Sequence, residues 1–403
     1  MRVLFTTTPA PGHFHPLVPL AAAARAAGHD VAFATGRSML PEVTAMGLRG
    51  FAAGLSRDGD GDAEFLRIKE SARGLPPHGV EMDRVAIARI LYGVRARRMA
   101  PDLLELAKSW RPDVIVRDSY EVGGAVAAEV LGVPHAALDT TPLYDMGPLK
   151  DLIAEELAKV RAEAGLAPDP QELMLHRHLT LSCAPPGYLY PGRTRPQTLR
   201  ALRPMPFDRA EGEELPAWVA GLPDRPTVYV TFGTIANRWV PGAFPGLFGQ
   251  VLAAFADEPV NVIATTDRDS DPAELGPLPP NTRVERYIPQ SLLLPYCALA
   301  VTHGGFNTVV GALDAGIPQV VVPFLGDHPD NARRVEELEI GRCVDPAALT
   351  PEAVRVAAAD VLADARYREN TARLRAELRG LPGPAEAVGL LERLVADGAL
   401  PRD

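Results

Sequence analysis

Short apolar runs rich in β-branched residues recur along the chain, separated by longer stretches with the apolar spacing of a helix. Val3 to Thr7 predicts a first strand, and a loop from Thr8 to His15 follows. A helix is predicted from about Pro16 to Ala27, its prolines confined to the first turn, where they are tolerated, and Gly28 closes it. Val31 to Ala34 is the next strand. Leu55 to Pro77 is irregular and polar, and Asp83 to Ser109 has helical spacing. Val114 to Val116 predicts a strand with Arg117 and Asp118 at its end, then come a helix over Val122 to Leu131 and a strand over His135 to Leu138. Asp151 to Ala164 reads as helix, and Leu179 to Ser182 is predicted to close the first sheet. Ala184 to Pro226 is rich in proline and charge, has little periodicity, and reads as an interdomain linker.

A second alternating series begins with a strand over Val228 to Thr231, the loop Phe232-Gly233-Thr234-Ile235 and a helix over about Gly242 to Ala256. Strands over Val260 to Ala264 and around Val284 follow, and Thr350-Pro351-Glu352 is a cap-and-start signal for a helix to about Leu362. Further helices are predicted over Arg366 to Leu378 and Ala385 to Ala396. Strand–helix alternation on this scale predicts an α/β fold of two Rossmann-like, doubly wound domains. The expected boundaries are 1–205 for the first domain, 206–226 for a linker, 227–380 for the second domain and 381–403 for a last helix.

A length of 403 residues allows each domain a full core. The net charge of -10 argues against nucleic acid or an anionic membrane as the main partner. Cys183, Cys297 and Cys343 are odd in number and far apart, matching neither a disulfide framework nor a zinc site. Asp58-Gly59-Asp60-Gly61-Asp62 has the acidic spacing of a calcium loop, but Ala63 stands where that loop needs glycine, so a solvated loop is expected. Met1-Arg2 leads directly into a strand, and no apolar stretch approaches a membrane span. A reduced, cytoplasmic protein without integral membrane contact is expected.

The stretch from Ala300 to Asn331 organises the chain. Leu299 to Val301 has the length of a buried parallel strand and runs into Thr302-His303-Gly304-Gly305. A helix is predicted from Phe306 to Ala315, stopped by Gly316, with a second buried strand over Gln319 to Val322. Such a strand–glycine–helix unit aims free backbone N–H groups and the positive end of a helix dipole at one point, which suits a phosphate. Asn307 and Thr308 add donors in the first turn, and His303 sits at the rim.

The ordered set Pro289-Gln290, His303-Gly304-Gly305, Asn307-Thr308, Pro318 and Asp327 resembles the donor-binding signature of nucleotide-sugar-dependent natural-product glycosyltransferases of the GT-B fold. These include the actinobacterial enzymes that decorate polyketide antibiotics, with plant relatives. The resemblance implies two domains facing each other across a cleft, a last helix crossing back to the first domain, and inverting sugar transfer by single displacement.

Such transfer needs a base for the acceptor hydroxyl, stabilisation of the leaving diphosphate, and alignment. His13 is the candidate base, because imidazole accepts a proton near neutral pH. Asp118, at the end of a strand expected to neighbour the first, could fix its tautomer. The family has this His–Asp pair, with the His directly after a Gly, as in Gly12-His13. The resemblance assigns the diphosphate to His303, Gly304, Gly305, Asn307 and Thr308, assisted by Thr234. It places Tyr287 against the base, main-chain groups of Ile288 at the base edge, and Asp327 on donor-sugar hydroxyls. His328 stands where relatives usually carry Gln. No metal site and no cofactor are expected, since helix dipole and N–H groups would meet the diphosphate charge.

Relatives using UDP-sugars commonly carry a Glu on this helix, on the ribose hydroxyls, where Gly311 stands here. A 2′-deoxyribose would leave such a carboxylate without a partner. The expected donor is therefore a TDP-linked deoxysugar, and the other partner a small-molecule acceptor lined by Phe65, Leu66, Ile87, Leu91, Tyr92 and Thr141, with Thr140 nearby. A homodimer is left open. The rival readings are a nucleotide-sugar epimerase of the same architecture and a catalytically silent helper protein; a dinucleotide-dependent oxidoreductase is disfavoured because no G-x-G-x-x-G follows the first strand.

Overall fold

The computed structural model describes residues 1–56, 63, 67, 85–86, 88–139, 149–192, 195–205, 207–208, 213–234, 240, 242–267 and 270–398. The Asp58–Asp62 loop expected from the sequence lies outside them. The chain divides into two compact units, the first made of Met1–Ala184, Pro191–Phe207 and Leu381–Asp403, the second of Pro185–Tyr190 and Asp208–Gly380.

The first unit holds a seven-stranded sheet in the order β3-β2-β1-β4-β5-β6-β7. Its strands are β1 Arg2–Thr6, β2 Asp30–Thr35, β3 Arg49–Ala52, β4 Val114–Asp118, β5 His135–Asp139, β6 Leu179–Ser182 and β7 Leu199–Ala201. All pairings are parallel. Helices cover such a sheet on both faces, so the central strands carry near-continuous apolar residues; Val3, Leu4 and Phe5 are fully buried. The helix expected from Pro16 begins later as a regular α-helix, at Val18–Ala26, preceded by short turns over Pro11–Phe14 and His15–Leu17. The expectation that Leu179–Ser182 would close the sheet is corrected by β7, a three-residue strand inside the stretch that reads as linker. None of its three residues is buried at this sheet edge, so it carries no apolar run to read. The last helix, Pro384–Asp397, packs on Val18–Ala26 of the same unit, and His29 Nε2 and Glu392 Oε1 are 3.0 Å apart beside that contact.

The second unit repeats the plan with six parallel strands, ordered β10-β9-β8-β11-β12-β13. They are β8 Thr227–Thr231, β9 Asn261–Thr265, β10 Thr282–Glu285, β11 Leu299–Thr302, β12 Gln319–Val321 and β13 Gly341–Cys343. Phe232, Phe248, Phe255 and Val301 belong to the core on one face of this sheet. Thr350 caps the Pro351–Ala363 helix, its hydroxyl accepting from the Ala353 N–H at 3.1 Å, a contact worth about 1 kcal/mol.

In each sheet the strand order reverses once, between β1 and β4 and between β8 and β11. Connections leave in opposite directions at such a point and open a crevice past the carboxyl ends of the two strands. The loops after those four strands carry the candidate chemistry.

Candidate functional site

Residues 7 to 13 and 118 to 121 form one buried corner in the first unit. The parallel register pairs Thr6 with Arg117, so Thr7 and Thr8 arrive level with Asp118. Asp118 is fully buried and its carboxylate is surrounded by donors. Oδ2 accepts from Thr7 Oγ1 at 3.0 Å and from the Thr8 N–H at 2.8 Å. Oδ1 accepts from the N–H groups of Tyr120 at 2.9 Å and Glu121 at 3.1 Å. His13 Nδ1 lies 3.2 Å from the same oxygen, with its side chain 27% exposed. Burial pushes the Asp118 carboxyl upward, but His13 and the donors from Thr8 and Thr7 outweigh it and hold the group below the usual carboxylate range. The short helix carrying His13 is anchored by Phe14, whose ring meets Phe33 at 5.0 Å.

Behind this pair the turn is tied by two further buried charged residues. Arg117 donates to the carbonyls of Ser119 (2.9 Å), Asp118 (3.3 Å) and Glu121 (3.4 Å), and also to that of Leu175. Glu121 accepts from Thr6 Oγ1 at 2.5 Å and from the Gly124 N–H at 2.9 Å, which joins β1 to the start of the Gly123–Leu131 helix. Burial raises the Glu121 carboxyl to about 7, against the opposing hydrogen bond from Thr6.

The corresponding corner of the second unit is built from glycines around an imidazole. His303 follows β11 and is 6% exposed. A Cβ on Gly305 would lie 2.4 Å from His303 Nε2, and one on Gly233 2.6 Å from Cε1, so both positions are open only to glycine while the ring stays where it is. Gly233 also has a φ of +71°, a region that favours glycine. The His328 ring meets His303 edge-to-face at 4.6 Å. Burial, and for His303 also the neighbouring His328, pushes each imidazole down to about 3, so both stay neutral. Gly305 is the extended residue before the Phe306–Ala315 helix, whose first turn carries exposed Asn307 and buried Thr308. That turn is the anion-attracting end of a ten-residue helix.

Two halves of the sequence match the halves of one family. Residues 22–144 match the N-terminal domain, and 249–394 the C-terminal domain, of the erythromycin biosynthesis protein CIII-like proteins. The chain belongs to this family. It is similar to 10-deoxymethynolide desosaminyltransferase of Streptomyces venezuelae, at 32% identity over 100% of this chain and 99% of that one. L-demethylnoviosyl transferase of Streptomyces niveus is 34% identical, over 96% of each chain. Among solved structures, the Streptomyces sp. SF2575 glycosyltransferase SsfS6, complexed with thymidine diphosphate, aligns with a TM-score of 0.77 and 29% identity, covering 98% of this chain and 99% of that one. The two parallel α/β units are those of the GT-B fold, and the protein is a glycosyltransferase.

Within this glycosyltransferase the structure brings His13 to Asp118, and Gly305 and the loop before Thr234 to His303. Thr234 is exposed, Tyr287 is 44% exposed and Ile288 is 2% exposed. Gly304 has a φ of +85° and lies against the backbone of His328. Asp327 is half-buried at the N-terminus of the His328–Glu337 helix. Leu91 and Tyr92 are buried in a cluster with Val122, Val126, Ile153 and Leu157. Phe65, Leu66, Ile87, Thr140 and Thr141 lie outside the described residues. Among the described residues no group of three or more His, Cys, Asp or Glu side chains is placed to hold a metal ion, and no helix is long and apolar enough to cross a membrane.

Thr7, Thr8, Arg117 and Glu121 escape the sequence reading. Their roles depend on the register of β1 against β4, which no local pattern encodes. The signal that could have found Glu121 is the Gly123-Gly124 pair two residues on: a Cβ on Gly124 would meet Glu121 Oε2 at 2.5 Å.

Proposed function

We propose that this enzyme transfers a deoxysugar from a TDP-sugar to a hydroxyl of a small-molecule natural product, with inversion and without a metal ion. His13 is the general base. With Nδ1 engaged by Asp118, Nε2 is left to accept the acceptor's proton as its oxygen attacks the anomeric carbon and the bond to the diphosphate breaks. Asp118 takes four donors besides His13, so its charge is held in place and favours the imidazolium that forms.

The diphosphate is read as lying on the N–H groups at the start of the Phe306–Ala315 helix, with His303, Asn307, Thr308 and Thr234 as side-chain donors. Neutral His303 would donate one N–H hydrogen bond there while its glycine neighbours let the phosphate approach closely. Asp327 and His328 are assigned to the sugar, Tyr287 and Ile288 to the base, and Leu91, Tyr92, Phe65, Leu66, Ile87 and Thr141 to the acceptor. The choice of TDP draws support from Gly311. A Cβ there would meet Leu294 Cδ1 at 3.5 Å, an ordinary contact, so the position itself is not closed to a side chain at its first carbon. The reading places the enzyme in the cytoplasm.

The His13–Asp118 contact carries this proposal. His13→Ala should lower the rate of transfer by on the order of 100- to 10,000-fold while leaving TDP affinity, measured by calorimetry, within about twofold. Transfer at the wild-type rate, or parallel loss of TDP binding, would remove His13 from the role.

A further inference from the structure

Asn331 is a buried amide beside the donor loop to which the reaction outlined above gives no part. We infer that Asn331, held by Tyr188, is a positioning residue for the donor sugar, setting the orientation of the Asp327 carboxylate. The inference rests on the reading of Asp327 as a contact to sugar hydroxyls.

Asn331 lies one helical turn after Asp327 and is 2% exposed. Its Nδ2 donates to Asp327 Oδ2 at 2.8 Å and to the Gly304 carbonyl at 2.9 Å. Its Oδ1 accepts from Tyr188 Oη at 3.3 Å. Two acceptors on one side and a donor on the other match what an amide offers, and turning it over would set oxygen against two oxygens. The side chain therefore has one satisfactory orientation, and it fixes one oxygen of Asp327 so that the other is presented in a defined direction.

Tyr188 reaches this point on a strap of chain. It is 1% exposed, and its ring lies 5.8 Å from that of Phe306, the first residue of the phosphate helix. Arg334 grips the strap by donating to the carbonyls of Tyr188 at 2.6 Å, Gly187 at 3.0 Å and Leu189 at 3.1 Å. The Gly187 N–H donates to Glu377 at 2.8 Å. The strap is thus held at both sides of Tyr188 independently of any ligand, which makes the hydroxyl a fixed point for the amide.

The test is calorimetry of the full chain with two probes, TDP and TDP-glucose. Asn331→Ala should weaken TDP-glucose about tenfold more than it weakens TDP, and the extra loss should vanish in an Asp327→Ala background. Tyr188→Phe keeps the ring and loses only the hydroxyl; it should show the same sugar-selective loss at about threefold. Equal losses for the two probes, or full additivity with Asp327→Ala, overturn the inference. Wild-type protein that fails to bind TDP overturns the proposed function and this inference with it. Wild-type binding together with variants that do not discriminate overturns the inference alone.

Discussion

Each unit carries a histidine in the crevice where its sheet reverses, and the two surroundings treat the imidazole in opposite ways. His13 meets a carboxylate at 3.2 Å and keeps 27% of its side chain exposed. His303 meets another imidazole at 4.6 Å, is 6% exposed and is pushed down to about 3. The first ring lies against a buried carboxylate, and the second is kept from carrying an extra proton. The same residue type in equivalent places of two similar sheets is thus proposed for either proton transfer or neutral hydrogen bonding. The neighbour decides which.

The contrast is broken most directly by removing the carboxylate. Asp118→Asn keeps the shape of the corner but takes away the negative charge beside His13. Transfer should fall by on the order of 100- to 10,000-fold with TDP affinity unchanged. A loss under about fivefold would mean the two histidines are not as different as their surroundings imply. Next in size is the glycine cradle. Gly305→Ala places a methyl 2.4 Å from His303 Nε2. The expected result is TDP affinity weaker by about 10- to 100-fold, with His13-dependent chemistry intact once donor is saturating. An unchanged dissociation constant would show that the ring moves aside without consequence.

Stability against pH sharpens the comparison further, because Glu121 and the two histidines of the second corner act with opposite sign. His303 and His328 are pushed down to about 3 in the folded chain, so between pH 6.5 and 3 the unfolded chain binds more protons. Folding should weaken as pH falls through that window, by about 1.4 kcal/mol per unit per histidine, and His328→Gln should flatten that slope. Glu121 is raised to about 7 from 4.5, so the folded chain binds the extra proton between those values. Its contribution is lost as pH rises. Glu121→Gln should therefore gain about 2 kcal/mol relative to wild type between pH 5 and pH 8 in denaturant unfolding. Parallel pH profiles for the two variants would contradict the opposite signs. The smallest effect belongs to Gly311→Glu, which should shift the ratio of UDP to TDP affinity toward UDP by about tenfold or less.

Much of this architecture was legible because long elements announce themselves. The Phe306–Ala315 helix, its Gly316 cap and the Thr350 cap fall where the pattern places them. Three edge strands do not: Arg49–Ala52, Leu199–Ala201 and Gly341–Cys343 go unread, whereas the equally short but interior Gln319–Val321 is legible. They exist because a neighbouring strand offers a ladder, which is a property of the sheet and not of the segment. The two corners divide in the same way. His13 and His303 could be found from loop chemistry and motif order. The Thr7 and Thr8 donors on Asp118, the Thr6–Glu121 bond and the Tyr188–Asn331 bond join residues more than 100 apart in the chain. Only folding brings them together.

The strap at Pro185–Tyr190 bears on how such enzymes can be recombined. A hybrid spliced within 206–226 would keep Tyr188 from one parent and Asn331 from the other, while the closing helix at Pro384–Asp397 would travel with the wrong half. Working chimeras would need four junctions rather than one: the six-residue strap inherited with the second unit, and the terminal helix with the first.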